Sequence, residues 1–189
     1  MPFSRFDLGN SASAQSKALT KIAELIAKGA SEPAIVRAAR AITRECDARD
    51  DRCELEAIFE AVKNGTDAVP GLKNGLRYVA DPRTTDYYVG AVRTLEECRA
   101  GACAGDCDEH TILVGALCAS IGFKAGARAY GPDPKQRMFE HVYAVVAGPK
   151  KRGPWGANGV IGMDTSTDEA SVGWQPPKGA VLTYWIEDG

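Results

Sequence analysis

Residues Thr111–Ile121 read Thr-Ile-Leu-Val-Gly-Ala-Leu-Cys-Ala-Ser-Ile, apolar nearly all the way round a helix. A helix without a polar face has no side to give to water, so it has to run through the middle of a domain with other elements around it. The apolar run, Ile112 to Phe123, is too short to span a bilayer and contains Ser120 and two glycines. Burial inside protein is therefore the expected solution. A chain of 189 residues supplies enough surroundings, since domains of this size bury roughly 70% of the unfolded surface without a disulfide or metal staple. Hydrophobic content of 44% and charged content of 25% are globular values.

The elements that would surround such a helix can be read on either side of it. Leu19, Ile22, Ala23 and Ile26 recur at i, i+3, i+4, i+7 and predict a helix ending near Gly29. Ser31 reads as the N-cap of a second, with Pro33 in its first turn and Ile35, Ala38, Ala39 and Ile42 on one face. Leu55, Ile58, Phe59 and Val62 predict a third, stopped by Gly65, after a solvated charged turn at 47–52. From 67 to 94 the signal is mixed, with a short extended piece around Leu76–Val79. Beyond Gly122 come four strand-like runs: 125–130, 139–147, 159–164 and 180–186. Helices followed by neighbouring strands predict an α+β fold with an antiparallel sheet. Residues 1–14 read as an N-terminal arm and 15–189 as one domain, with a helical part 15–121 and a sheet part 122–189.

Charge excludes several functions. Lys plus Arg number 23 and Asp plus Glu 25, a net charge of −2, so no broad cationic surface is on offer to nucleic acid or an anionic membrane. Lys150, Lys151 and Arg152 read as the solvated tip of a hairpin. Trp155, Trp174 and Trp185 read as core or cleft walls, because no basic groove accompanies them. The glycine-rich piece Gly153–Gly159 lacks the Lys-Ser/Thr of a phosphate loop, and no cofactor motif is evident. Met1–Asn10 has no secretory pattern, so a soluble, cytosolic protein with reduced thiols is expected. A Cys46–Cys53 disulfide is an open alternative if the protein ends up outside a cell.

The block Gly105-Asp-Cys-Asp-Glu-His110 leads into the apolar helix. Asp106 can cap the first turn, which places Cys107 at the helix N-terminus, where free N–H groups and the dipole favour a thiolate. Asp106, Asp108 and Glu109 make a wholly apolar burial unexpected there; they also oppose the thiolate, so a cation is needed. The chain holds only two histidines. His141 opens a strand apolar on both faces, and Asp164 closes the next one. A cysteine in a core is commonly inert and a histidine in a buried strand is commonly a hydrogen-bonded core residue. The order Cys107, His141, Asp164 nevertheless matches a nucleophile, a base and an orienting acid. A rival use of the same residues is a zinc site, either Cys98, Cys103, Cys107 and His110, or Cys46 and Cys53 joined with Cys98 and Cys103.

Three segments carry a resemblance: Gly105–Leu113 running into Ile121-Gly-Phe-Lys-Ala-Gly-Ala-Arg128, then Glu140-His-Val-Tyr143, then Met163-Asp-Thr165. In them the chain resembles the transglutaminase-like superfamily of the papain-like cysteine-proteinase fold. Phe123 and Lys124 stand where that family frequently has Ile and Pro. Arg93-Thr-Leu-Glu96 and Gly173-Trp-Gln-Pro-Pro177 add a narrower likeness to transglutaminase-like proteins of tailed-phage and prophage structural genes. The resemblance implies Cys107 as nucleophile, His141 as general base and Asp164 as its orienting carboxylate. It implies acyl chemistry on amide bonds of a protein or peptide, as a hydrolase or an acyltransferase, with no cofactor. An upstream oxyanion donor is usual, for which Tyr87, Tyr88 or a main-chain group would serve, and the strand residue Arg128 would pair with a carboxylate. The narrower likeness implies a bacterial cytoplasm or a virion as the location and phage structural proteins as partners. The alternative it leaves open is a catalytically silent virion or assembly protein that retains the fold.

Overall fold

The computed structural model describes residues 4–6, 12–80, 86–133, 139–148 and 159–186, with side chains described from residue 15 onward except at 81–87 and in the remaining gaps. Along the chain these form β1 (Ser4–Phe6), α1 (Ala12–Ala30), α2 (Pro33–Ile42), α3 (Asp51–Lys63), β2 (Arg77–Tyr78), β3 (Asp86–Tyr88), α4 (Ala91–Arg99), β4 (Ala104–Gly105), α5 (Cys107–Ser120), β5 (Ala125–Gly131), β6 (His141–Ala147), β7 (Val160–Met163) and β8 (Ala180–Trp185). The architecture is mixed α+β, with a four-stranded antiparallel sheet ordered β7-β6-β5-β8. Two small ladders, β1 with β3 and β2 with β4, lie outside it.

Helix α5 is buried from Glu109 through Cys118, with α1, α2, α3 and α4 around it and β5 and β6 beneath. Its centrality follows from its lack of a polar face, and small residues let its neighbours close in. A Cβ on Gly115 would lie 2.7 Å from Cδ1 of Ile26 on α1, and one on Gly29 would lie 3.0 Å from Cβ of Ala116. On the sheet, Ala125, Ala127 and Ala129 of β5 alternate toward the core with Val142, Ala144 and Val146 of β6. Tyr143 and Val145 occupy the other face of β6 and are buried as well, as a strand apolar on both faces requires. Among the described residues no helix is long and apolar enough to cross a membrane.

The structure departs from the sequence reading in four places. Residues expected to form an arm contribute β1 and the first turn of α1. Ser31 does not cap α2: Pro33 forces its predecessor to be extended, so Glu32 (φ −73°, ψ 129°) takes the N-cap position, while Ser31 Oγ donates to the Lys28 carbonyl at the end of α1. Helix α4 begins at the end of the mixed stretch and runs past it; its buried Ala91, Thr94, Leu95 and Cys98 do follow helical spacing, but two of the four are not conspicuously apolar. The cysteines expected to be reduced are instead joined as Cys46–Cys53, between α2 and α3, and Cys98–Cys103, between α4 and β4. Lys150, Lys151, Arg152, Trp155 and most of the glycine-rich piece lie outside the described residues.

The tight α1–α5 approach gives a stability test. Gly115→Ala should gain about 1 kcal/mol of helix propensity and lose about 2 kcal/mol by overpacking against fully buried Ile26. A net fall in Tm of about 3 °C in thermal unfolding is expected.

Candidate active site

The site begins where α5 begins. Asp106 is the N-cap, its Oδ1 accepting the Asp108 N–H at 2.8 Å, and Glu109 completes a capping box by accepting the Asp106 N–H at 3.0 Å. The second Glu109 oxygen accepts the Val89 N–H at 3.0 Å. Only glycine fits at 105, because a Cβ there would stand 2.5 Å from Glu109 Cβ. Glu109, expected to resist burial, is thus buried by serving two main-chain donors. Burial first, then the charge of Asp106, raises its carboxyl pKa, and the two N–H groups partly offset them.

This cap presents Cys107 at the first helical position. The Val142 backbone N–H, one residue past His141, points at the sulfur and lowers its pKa. Burial, followed by Asp108 and Asp106, outweighs that contact, and the pKa stands well above the ordinary thiol value. The expectation of a depressed pKa is therefore corrected. The dipole-favoured thiolate is overruled by desolvation and two carboxylates, and Cys107 rests as a neutral thiol with Sγ 3.9 Å from Asp108 Oδ1.

His141 is the first residue of β6, and Asp164 follows β7 on the neighbouring strand. His141 Nε2 lies 2.7 Å from Asp164 Oδ2. The carboxylate is 1% exposed and fully engaged: Oδ1 accepts from Ser166 N–H at 3.0 Å and Ser166 Oγ at 2.8 Å, and Oδ2 also accepts from Thr167 Oγ1 at 2.8 Å. Burial pushes the Asp164 pKa up, but the bond and charge of His141 and the two hydroxyls bring it below the usual carboxylate value. An ionised Asp164 accepts from His141 Nε2–H and so fixes the orientation of the ring. The ring stacks on Tyr143 at 6.0 Å between centroids. Tyr143 in turn donates to Gln175 Oε1 at 3.1 Å and meets Trp174 edge-on. Gln175 Oε1 also accepts from Arg128, whose Nε reaches Thr183 Oγ1 at 2.7 Å, so the described partners of Arg128 are neutral rather than a carboxylate.

Two neighbours stand close to these groups, His110, read above only as a zinc ligand, and Tyr78, which the sequence did not single out. His110 is 3% exposed, with Nδ1 2.9 Å from Thr165 Oγ1 and Nε2 without a hydrogen-bond partner. Burial lowers its pKa to about 4, Asp164 opposing and His141 adding to the shift. Its place three residues past Cys107 sets it on the same helix face as the thiol, the spacing behind the zinc reading. Tyr78 of β2 pairs opposite Gly105, and its ring lies 6.4 Å from that of His110. Burial raises its hydroxyl pKa, as do Cys107, Asp106, Asp108 and Asp164. Tyr88, one expected oxyanion donor, is buried in the core, and the Tyr87 side chain lies outside those described.

The zinc alternatives are not assembled. Cys46, Cys53, Cys98 and Cys103 are consumed in the two disulfides, and His110 bonds Thr165, leaving Cys107 and Cys118 as free thiols. Among the described residues, Asp106, Cys107 and Asp108 bring three ligand-type atoms within 4.8 Å of one another, one short of a structural zinc set.

Two outcomes follow from these charges. Asp108→Asn should move the midpoint of the Cys107 alkylation–pH profile down by about one unit, read by peptide mass spectrometry. His110 has a folded pKa below its unfolded value of about 6.5, so its stabilising contribution is complete above pH 6.5 and is lost as pH falls through 4. Denaturant titrations should show up to about 3 kcal/mol lost over that window, and His110→Gln should flatten it. Compared with protein-family models, curated proteins and solved structures, the chain matches none.

Proposed function

We propose that the chain is a cysteine-dependent acyl enzyme of the papain-like, transglutaminase-like kind, with Cys107 as nucleophile, His141 as general base and Asp164 as the carboxylate that orients it. The observation that carries this reading is the 2.7 Å His141–Asp164 pair, its carboxylate held by two hydroxyls and an N–H, on the strand whose Val142 amide faces the Cys107 sulfur. Because the thiol rests neutral, the proton leaves sulfur for His141 Nδ1 as the sulfur attacks an amide carbonyl. The C–S bond forms, and the tetrahedral oxyanion is met by the Cys107 N–H, a contact worth about 3 kcal/mol in related chemistry. The C–N bond then breaks, and the amine departs with the proton from His141. Water or an acceptor amine attacks the thioester with His141 again as base, giving an acid or a new amide and restoring the thiol.

A second reading draws on a specific observation too. A half-buried thiol flanked by two carboxylates, its pKa held well above the ordinary value, suits a protein that keeps the fold as a virion or assembly part without catalysis. Alkylation of Cys107 at pH 7 in wild type and His141→Ala separates the two. Loss of at least about tenfold in rate on removing the imidazole supports the enzyme, in keeping with what general bases contribute. Equal rates that track a high-pKa thiol in both proteins favour the assembly part.

A further inference from the structure

The loop that follows Asp164 is held from outside by a single ammonium group. Lys63 is the last residue of α3, and its Nζ passes 5.3 Å from the Phe59 ring centroid. It then donates to three main-chain carbonyls of one loop: Thr167 at 2.9 Å, Asp168 at 2.9 Å and Ala170 at 2.6 Å. An ammonium has three hydrogens, so Lys63 is saturated by this loop. The loop also closes on itself through the Ala170 N–H to the Thr167 carbonyl at 3.2 Å. Three carbonyl dipoles converging on one point repel one another unless a cation sits between them.

Thr167 links this grip to the Asp164 carboxylate. Its carbonyl is bound by Lys63, while its hydroxyl donates to Asp164 Oδ2, the same oxygen that receives His141 Nε2. At the other end of the loop, His110 on α5 bonds Thr165 Oγ1. The segment bearing the carboxylate is thus tied to α5, the helix of Cys107, on one side and to α3 on the other. We propose that Lys63 is a positioning residue for the Asp164–His141 pair: its ammonium gathers the Thr167, Asp168 and Ala170 carbonyls and so sets the Thr167 hydroxyl that aims Asp164 Oδ2 at the imidazole. The inference rests on the reading that this pair serves Cys107, but the link from Lys63 to the pair is testable on its own.

The test uses the full chain labelled with 15N-histidine, in wild type, Lys63→Met and Lys63→Arg, with His141→Ala to assign the hydrogen-bonded Nε2–H proton of His141. Lys63→Met keeps the stem over Phe59 and removes the three donors. Its His141 proton should exchange with water about tenfold faster or vanish, and Cys107 alkylation at pH 7 should fall about tenfold, with unfolding still cooperative. Lys63→Arg, which keeps a cation and several donors, should restore both. A folded Lys63→Met whose His141 proton keeps its wild-type shift and exchange rate overturns the proposal, whatever happens to Tm. If the His141 proton responds to Lys63 while wild-type alkylation is indifferent to His141→Ala, the positioning stands and the acyl-enzyme reading fails. Should Lys63→Met not fold, Lys63→Gln, with a shorter donor, is judged by the same proton.

Discussion

Everything in this fold is arranged around the complete burial of α5. Ten consecutive residues, Glu109 through Cys118, are withdrawn from water, and one of them is a carboxylic acid and another an imidazole. The apolar residues contribute the free energy, on the order of 2 kcal/mol for each large aliphatic side chain buried. The polar ones have to be satisfied in place or they would offset that gain. Glu109 manages it by serving the Asp106 and Val89 amides, which closes the N-terminal cap of the helix and holds the residue that follows β3. The alanines of β5 and the glycines at 29 and 115 are the steric counterpart, lowering the walls so that helices and sheet can close on a helix with no outward side.

A helix buried from Glu109 through Cys118 meets solvent only at its two ends, and Cys107 stands at the N-terminal one. Two electrostatic demands meet at that point. The cap needs carboxylates, because Asp106 and the acidic first turn satisfy free N–H groups and oppose the dipole. Those same carboxylates, with desolvation, hold the thiol in its neutral form. On the neighbouring β6, the imidazole of His141 is oriented by an Asp164 that also accepts from three further protein donors. The thiol at the helix start and the Asp164–His141 pair are brought to the same end of the sheet by the Val142 backbone N–H, which reaches the Cys107 sulfur.

Much of this was legible in the residues, because it depends on local order. The apolar run of α5, the Asp106 cap, the four strands after Gly122 and the order Cys107, His141, Asp164 are properties of short stretches. What escaped was set by neighbours. Ser31 has the chemistry of an N-cap, but the ring of Pro33 moves the cap to Glu32. Helix α4 presents Thr94 and Cys98 on its buried face, residues whose burial depends on what packs there. Of the cysteine pairs, Cys46–Cys53 is open as an alternative in the sequence, whereas Cys98–Cys103 follows from the turn that brings position 98 to 103 at a Cα separation of 3.8 Å.

By itself the sequence determined that an apolar helix must be central, that helices precede an antiparallel sheet, and which three side chains are candidates for chemistry. Side-chain periodicity and capping act over a few residues, so they survive without knowledge of the fold. Tertiary structure alone decided the protonation of Cys107, the burial of Glu109 and His110, and the grip of Lys63 on a loop more than a hundred residues away. Each of these depends on the dielectric and on partners across the fold, and sequence distance carries no information about either.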